Sequence, residues 1–188
     1  MNLLIAYATT DGQTRKIARF AADRLAGQGH AVELLNVEDT EGLDLSRFDG
    51  AILAGSLHAG GYQKSLARFA TDQAAALARM PTLFLAVSLS AAGNDPEDWA
   101  GLHRCLADFE ADTGWTPGRT EHVAGAFRFS EYDFFRAWAM RRIADQKGET
   151  VEPGTDKEYT DWAALILAVD GWVAGVTPRV KAAAVSAG

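Results

Sequence analysis

Residues 3–15 read LLIAYATTDGQTR, and this stretch decides the fold of the protein. Its first five residues are apolar or aromatic, which is typical of a strand whose sheet carries helices on both faces. A polar loop follows, and from Gln13 onward the spacing of apolar residues predicts an amphipathic helix. The stretch therefore predicts a strand–loop–helix unit, the building block of an α/β fold.

The same alternation continues outward along the chain. Short apolar runs predict strands at 3–7, 31–37, 51–55, 82–88 and 121–127. Helical patterns are present at 13–27, 63–79, 96–113 and 158–173. Alternating strands and helices imply right-handed crossovers and a parallel, doubly wound sheet. Five strands favour the flavodoxin-like order 2-1-3-4-5, in which a ligand binds where the order reverses, beside strands 1 and 3.

One segment, 128–157, is longer than an ordinary connection before the last helix. We expect a helix at 132–146 and a polar loop at 148–156. The apolar side chains of this helix share one face: Tyr132, Phe135, Trp138, Ala139 and Ile143. Such a face is suited to a membrane surface or to covering an apolar substrate, although packing on the domain or in a homodimer is slightly favoured. We expect one domain, 1–176, and a fraying tail, 177–188.

The loop between the first strand and the first helix is a candidate anion site. A helix start presents unpaired backbone N–H groups, and the helix dipole adds to their attraction for an anion. The loop lacks the glycine spacing of a dinucleotide fingerprint and the Lys-Ser/Thr pair of a P-loop. It therefore suits a terminal monophosphate such as that of FMN, unless the loop is only a capped helix start. The candidate residues are Thr9, Thr10, Asp11, Gly12, Gln13 and Thr14.

Two further loops follow strands 3 and 4 at the same predicted edge. Both are rich in small residues, which let the main chain approach a flat isoalloxazine ring. His58 or Tyr62 could pack on a ring face, although Gly60-Gly61 equally indicates a turn and Tyr62 a core contact. The candidate cofactor residues here are Ser56, Leu57, His58, Ser88, Leu89, Ser90 and Ala91.

Composition narrows the functional classes. The chain has 188 residues, 48% of them hydrophobic, and a formal net charge of −7, which disfavours nucleic-acid binding. Cys105 is the single cysteine, so no intramolecular disulfide forms, and we expect no metal site. A basic apolar leader and a run of about 18 apolar residues are both missing. We therefore expect a cytoplasmic protein, with a peripheral location on the inner face of the cell membrane as the open alternative.

Beyond these patterns, the chain resembles a known family, the bacterial flavodoxin-like protoporphyrinogen oxidases, which are quinone-dependent. The first matching motif is Thr9-x-Asp11-Gly12-Gln13-Thr14-Arg15. The others, in order, are Ser56, Tyr62, Met80-Pro81, Trp115-x-Pro117-x-Arg119, Ala124-Gly125-Ala126-x-Arg128, Gly148-Glu149-Thr150 and Tyr159-Thr160-Asp161-Trp162. The chain departs from the family pattern at His58-Ala59, where the pattern has Arg-Tyr. Its inserted segment is also mixed in charge rather than strongly basic.

The resemblance implies a non-covalently bound FMN and oxidation of protoporphyrinogen IX to protoporphyrin IX, with menaquinone or ubiquinone as acceptor. The inserted segment would contribute to substrate or quinone access. Arg128, Tyr132 and Arg136 are candidate substrate contacts, because arginines pair with carboxylates such as propionates. No catalytic residue is assigned, since the flavin supplies most of the chemistry. Two other functions are compatible with the sequence: a flavodoxin-like electron carrier and an FMN-dependent NAD(P)H:quinone reductase.

Overall fold

The structure is a computed structural model that describes residues 1–127 and 157–178. Its strands are β1 (Asn2–Tyr7), β2 (Ala31–Asn36), β3 (Gly50–His58), β4 (Gly61–Tyr62), β5 (Thr82–Ser88), β6 (Arg119–Ala124), β7 (Ala126–Phe127) and β8 (Lys157–Glu158). The helices of the described residues are α1 (Gln13–Gly27), α2 (Lys64–Leu77), α3 (Pro96–Thr113) and α4 (Trp162–Val173).

Five parallel strands form the main sheet in the order β2-β1-β3-β5-β6. These are the first to fifth long strands in the spatial order 2-1-3-4-5, so the predicted topology is confirmed. Strand β4 adds a short antiparallel hairpin to the end of β3. Because the long strands are parallel, the loops after β1, β3 and β5 meet at one edge, beside the reversal in strand order.

The helices cover the sheet in two layers. Side chains of β1 alternate between two cores because successive residues of a strand point to opposite faces. Leu3 and Ile5 pack with α1 and α4, whereas Leu4 and Ala6 pack with α2 and α3. All four side chains are fully buried. The apolar first strand thus fixes the centre of the sheet and the position of the loop that follows it.

Two of the predicted strand and helix boundaries are wrong, and both lie beside the inserted segment. The predicted strand 121–127 is divided, because β6 ends at Ala124 and the next two described residues form β7, which pairs antiparallel with β8. The predicted helix 158–173 begins at Trp162, where the Asp161 side chain caps Ala164 N–H at 2.9 Å. Glu158 belongs to β8 instead. Both differences arise from one long-range pairing that brackets the inserted segment.

The base of the inserted segment is therefore described, although the segment itself is not. Ala126 pairs with Glu158 and Phe127 with Lys157, so the two residues that flank the segment lie side by side. The predicted helix 132–146 and loop 148–156 lie outside the described residues, as does the tail from 179 onward.

Candidate functional site

The first turn of α1 begins without a side-chain cap. Its N-cap residue is Gly12, whose φ of 87° is a left-handed conformation that glycine adopts without steric cost. The Thr9 hydroxyl accepts a hydrogen bond from Gly12 N–H at 2.9 Å. Within the described ranges, no side chain caps the helix. The turn therefore keeps free N–H groups and the positive end of the helix dipole for an anion.

Hydroxyl groups surround this helix start. Thr14, the second residue of α1, is 1% exposed, and a buried hydroxyl at this position can donate to an anion held by the turn. Thr10 is exposed on the loop, and its hydroxyl accepts from Gln63 Nε2 at 3.3 Å. Gln13 turns its side chain away and donates to the Thr160 hydroxyl at 3.0 Å.

The second loop is the tight hairpin between β3 and β4. Ala59 and Gly60 form its turn with φ values of 47° and 85°, the positive values that two-residue hairpin turns require. Ala59 is the one non-glycine residue of the described chain with positive φ, so its backbone is strained. The hairpin places His58 at the switch point, on the last residue of β3.

A hydrogen-bond network joins the hairpin to the first loop. Gln63 Nε2 donates to Ser56 Oγ, and Ser56 N–H donates to Gln63 Oε1 at 3.1 Å. His58 Nε2 lies 3.2 Å from Ser56 Oγ and 3.6 Å from Asp11 Oδ2. The other carboxylate oxygen of Asp11, Oδ1, is buried and has no hydrogen-bond partner among the described residues. The predicted residues Thr10, Asp11, Ser56 and His58 are thus brought together.

The third loop follows β5 and is held in place by hydrogen bonds from Ala91 and Trp99. Ser88 Oγ accepts from Ala91 N–H at 3.2 Å, and a 3-10 turn covers Ser90–Ala92. Trp99 Nε1 donates to the carbonyl of Gly93 at 2.7 Å. These bonds hold Ser88, Leu89, Ser90 and Ala91 at the same edge as the first two loops.

Two histidines pack beside this tryptophan, with ring centroids of His103 and His122 separated by 5.6 Å. His122 lies 5.5 Å from Trp99, centroid to centroid. Burial lowers the pKa of His122, and the neighbouring His103 lowers it further. The cluster therefore favours a neutral His122 behind the third loop.

Two residues of this network, Gln63 and Thr160, are not among the predicted site residues. The sequence predicts Gln63 as the first residue of a helix. In the structure its side-chain amide donates hydrogen bonds to Ser56 and Thr10. Thr160 donates to the carbonyl of Ala124 at 2.7 Å while it accepts from Gln13. Only the motif 159–162 singles out Thr160 in the sequence, and no local signal identifies Gln63.

An ion pair ties α1 to the base of the inserted segment. Lys16 Nζ lies 2.5 Å from Glu158 Oε2, and Trp162 Nε1 donates to Glu158 Oε1 at 2.8 Å. The hydrogen bond from Lys16 holds the pKa of Glu158 below its ordinary value. The strand returning from the inserted segment is therefore fastened directly to the helix that begins the candidate anion site.

Tyr62 does not face the candidate site. Its ring packs against Phe84 and Phe109 at centroid distances of 5.1 and 5.0 Å, and burial raises its pKa. It is the core contact that the sequence left open as an alternative. The candidate substrate residues Arg128, Tyr132 and Arg136 lie outside the described residues.

The donor set fits a phosphate monoester with one exception. Backbone N–H groups and threonine hydroxyls are neutral donors, and they match the oxygens of a terminal phosphate. The Asp11 carboxylate is the exception, because it adds a negative charge next to Gly12 at the helix start. The flanking hairpin and third loop present backbone and small side chains at the same edge.

A family model described as a flavodoxin domain matches residues 4–153. The chain belongs to the flavodoxin domain family. Membership implies a flavin cofactor and an oxidoreductase type of function. The match covers residues 128–153 of the inserted segment, so most of that segment lies within the family's own boundaries.

Curated relatives carry the name protoporphyrinogen IX dehydrogenase [quinone]. One from Escherichia coli K12 is 29% identical over 163 residues, which cover 86% of this chain and 89% of the relative. One from Leishmania major is 26% identical over 183 residues, covering 95% of this chain and 79% of the relative. These names confirm the resemblance predicted from the sequence motifs.

Solved structures show the same fold. A mutant flavodoxin from Pseudomonas aeruginosa superposes with a TM-score of 0.50 at 17% identity, covering 77% of this chain and 95% of the flavodoxin.

Among the described helices, none is long and apolar enough to cross a membrane.

Proposed function

We propose that the protein is an FMN-dependent dehydrogenase that oxidises protoporphyrinogen IX to protoporphyrin IX and passes the electrons to a membrane quinone, menaquinone or ubiquinone. The observation that carries the cofactor assignment is the start of α1, where Gly12 leaves the helix without a side-chain cap. This start lies at the reversal in strand order, where α/β sheets bind ligands. The substrate assignment is supported by the names of the relatives.

Each loop has a proposed role toward FMN. The N–H groups of Gln13 and Thr14, with the hydroxyls of Thr9, Thr10 and Thr14, would hold the phosphate. The loops after β3 and β5 would flank the ring through Ser56, Leu57, Ser88, Leu89, Ser90 and Ala91, and His58 would face the phosphate loop from the hairpin. Bound FMN supplies the redox chemistry, while the chain binds it, orients it and keeps the edge of the sheet in place.

The base of the inserted segment supports an enzyme over a simple electron carrier. Strands β7 and β8 pair just beyond the carboxyl end of β6, so the two residues that flank 128–156 lie side by side near the candidate cofactor loops. A carrier needs no additional segment at this place. We propose that Arg128, Tyr132 and Arg136 contact the substrate, since arginines match the propionates of a porphyrinogen. We also propose that this segment meets the membrane surface, where a quinone resides.

Purified protein gives the direct test. We expect bound FMN and the appearance of porphyrin fluorescence from protoporphyrinogen IX when a menaquinone or ubiquinone analogue is present. NADH oxidation is measured in parallel. A flavin-loaded protein without porphyrin formation would contradict the substrate, and NADH-driven quinone reduction in its place would support the reductase.

A deletion separates the roles of domain and segment. Because Phe127 and Lys157 pair directly, a short Gly-Ser linker can replace residues 130–154 without stretching the chain. We expect this variant to retain FMN and lose quinone-dependent turnover. Turnover equal to that of the full chain would show that the segment is scaffold.

A further inference from the structure

The pair of His58 and Asp11 resolves the one misfit of the candidate phosphate site. Asp11 directly precedes the N-cap glycine of α1, and its Oδ2 lies 3.6 Å from His58 Nε2. Its Oδ1 is buried without a hydrogen-bond partner among the described residues. A carboxylate in this position occupies an anion site with a charge of the wrong sign.

The conflict is electrostatic. A phosphate monoester carries a charge of about −1.5 to −2 near neutral pH. A carboxylate within a few ångströms repels it, and the repulsion is strong where protein excludes water. A group that offsets the carboxylate would therefore strengthen the binding of such an ester by the loop.

His58 is placed to offset this charge. It lies on the hairpin, and its ring is oriented by Ser56 Oγ at 3.2 Å, which Gln63 holds in turn. In the described part of the chain, Asp11 is the only acidic side chain within 4.0 Å of His58.

Among the described residues, no lysine or arginine forms an ion pair with Asp11. Lys16 is engaged with Glu158. Arg15 and Lys64 are exposed, and neither forms an ion pair with an acidic side chain of residues 1–127 or 157–178.

We propose that His58 is a positioning residue that offsets the charge of Asp11 and so allows the loop to accept a doubly charged phosphate ester. This inference rests on the proposed FMN site and assigns His58 an electrostatic role in place of ring packing. It predicts that His58 selects for the phosphate of the flavin rather than for its ring.

The test compares the dissociation constants of FMN and riboflavin, which lacks the phosphate, by quenching of flavin fluorescence. We expect His58→Gln to raise the FMN dissociation constant about tenfold, near 1.4 kcal/mol, and to leave that of riboflavin unchanged. His58→Lys places a permanent cation beside Asp11 and should bind FMN at least as tightly as the wild type does. His30→Gln removes a histidine at the opposite edge of the sheet and serves as the matched control.

A double variant tests whether the effect of His58 depends on the charge of Asp11. In an Asp11→Asn background the need for a counter-charge is gone, so adding His58→Gln should no longer weaken FMN binding. An equal FMN-to-riboflavin ratio in wild type and His58→Gln would overturn the proposal, as would an undiminished His58→Gln effect in the Asp11→Asn background. Wild-type protein that binds neither flavin would overturn the FMN site itself, a result distinct from these.

Discussion

The starts of α1 and α3 differ, although both helices follow a strand of the same sheet. At α3, Asp95 accepts from the N–H groups of Glu97 and Asp98 at 2.8 and 3.4 Å, and Pro96 opens the helix. At α1, Gly12 supplies no side chain. One helix satisfies its first N–H groups from its own sequence, whereas the other leaves them available. The difference teaches that a helix start without a side-chain cap can indicate a ligand site as a sequence motif does.

The other two described helices follow the same division. Helix α4, which follows β8, is capped by Asp161. Helix α2 has no side-chain cap, because Gln63 sends its amide to Ser56 and Thr10 instead. The two helices that follow β1 and β3, the strands beside the reversal, are thus the two described helices without side-chain caps.

The strongest way to break this comparison is Gly12→Val. A β-branched residue is disfavoured at a φ of 87°, so the loop must rearrange. We expect FMN affinity to fall by roughly a hundredfold or more, and the free energy of unfolding to fall by about 1–2 kcal/mol. Gly114→Val is the matched control, since Gly114 has a φ of 67° at the end of α3. It should lose stability and retain FMN, and equal loss of FMN in both variants would contradict the account.

Thr14→Val tests the hydroxyl at the uncapped start. The change keeps the shape of a side chain that is 1% exposed and removes only its donor. A hydrogen bond to a charged group contributes about 1.5–3 kcal/mol, so we expect the FMN dissociation constant to rise roughly 10- to 100-fold in equilibrium dialysis. Thr113→Val, at a buried threonine of α3, should leave FMN binding unchanged. Undiminished affinity in Thr14→Val would refute the phosphate assignment.

Asp95→Ala addresses the capped helix. Loss of an aspartate N-cap costs about 1 kcal/mol, which urea unfolding would report. FMN affinity should stay the same, because this helix start does not face the proposed phosphate. A variant that loses FMN while keeping its stability would show that the two helix starts do not differ in function as argued.

The smallest expected effect is on the free energy of unfolding and its dependence on pH, through the ion pair between Lys16 and Glu158. The pKa of Glu158 is lowered in the folded protein, so its stabilisation is present above the ordinary glutamate pKa and is lost as pH falls through the folded value. We expect Glu158→Gln to be less stable at pH 7 by roughly 0.5 kcal/mol, a typical value for a partly exposed pair. The difference should vanish in acid. Asp23→Asn, from the exposed pair with Arg19, is the control and should change little.

Local patterns predicted much of this fold. Helices α1 and α3 and strand β5 have the bounds that the sequence indicated, because apolar spacing and a cap signal such as Asp95-Pro96 act over a few residues. The division of 121–127 was not predictable in this way. It depends on Tyr159 N–H donating to Gly125 O and on the pairing of β7 with β8, which join residues at least thirty positions apart.

The candidate site divides similarly. The loop after β1 could be found from its hydroxyls and glycine, since these are local features. The approach of Asp11 to His58 could not, because it depends on the hairpin turn at Ala59 and Gly60 and on the network from Gln63. The residue types of the first loop thus predict its hydrogen-bond donors, whereas the approach of Asp11 to His58 follows only from the folded structure.

A crystal structure of the protein loaded with FMN tests the central claim most directly. The account predicts phosphate oxygens within hydrogen-bond distance of the N–H groups of Gln13 and Thr14, with the ring between the loops after β3 and β5. A phosphate bound elsewhere, with the start of α1 facing only solvent, would contradict it.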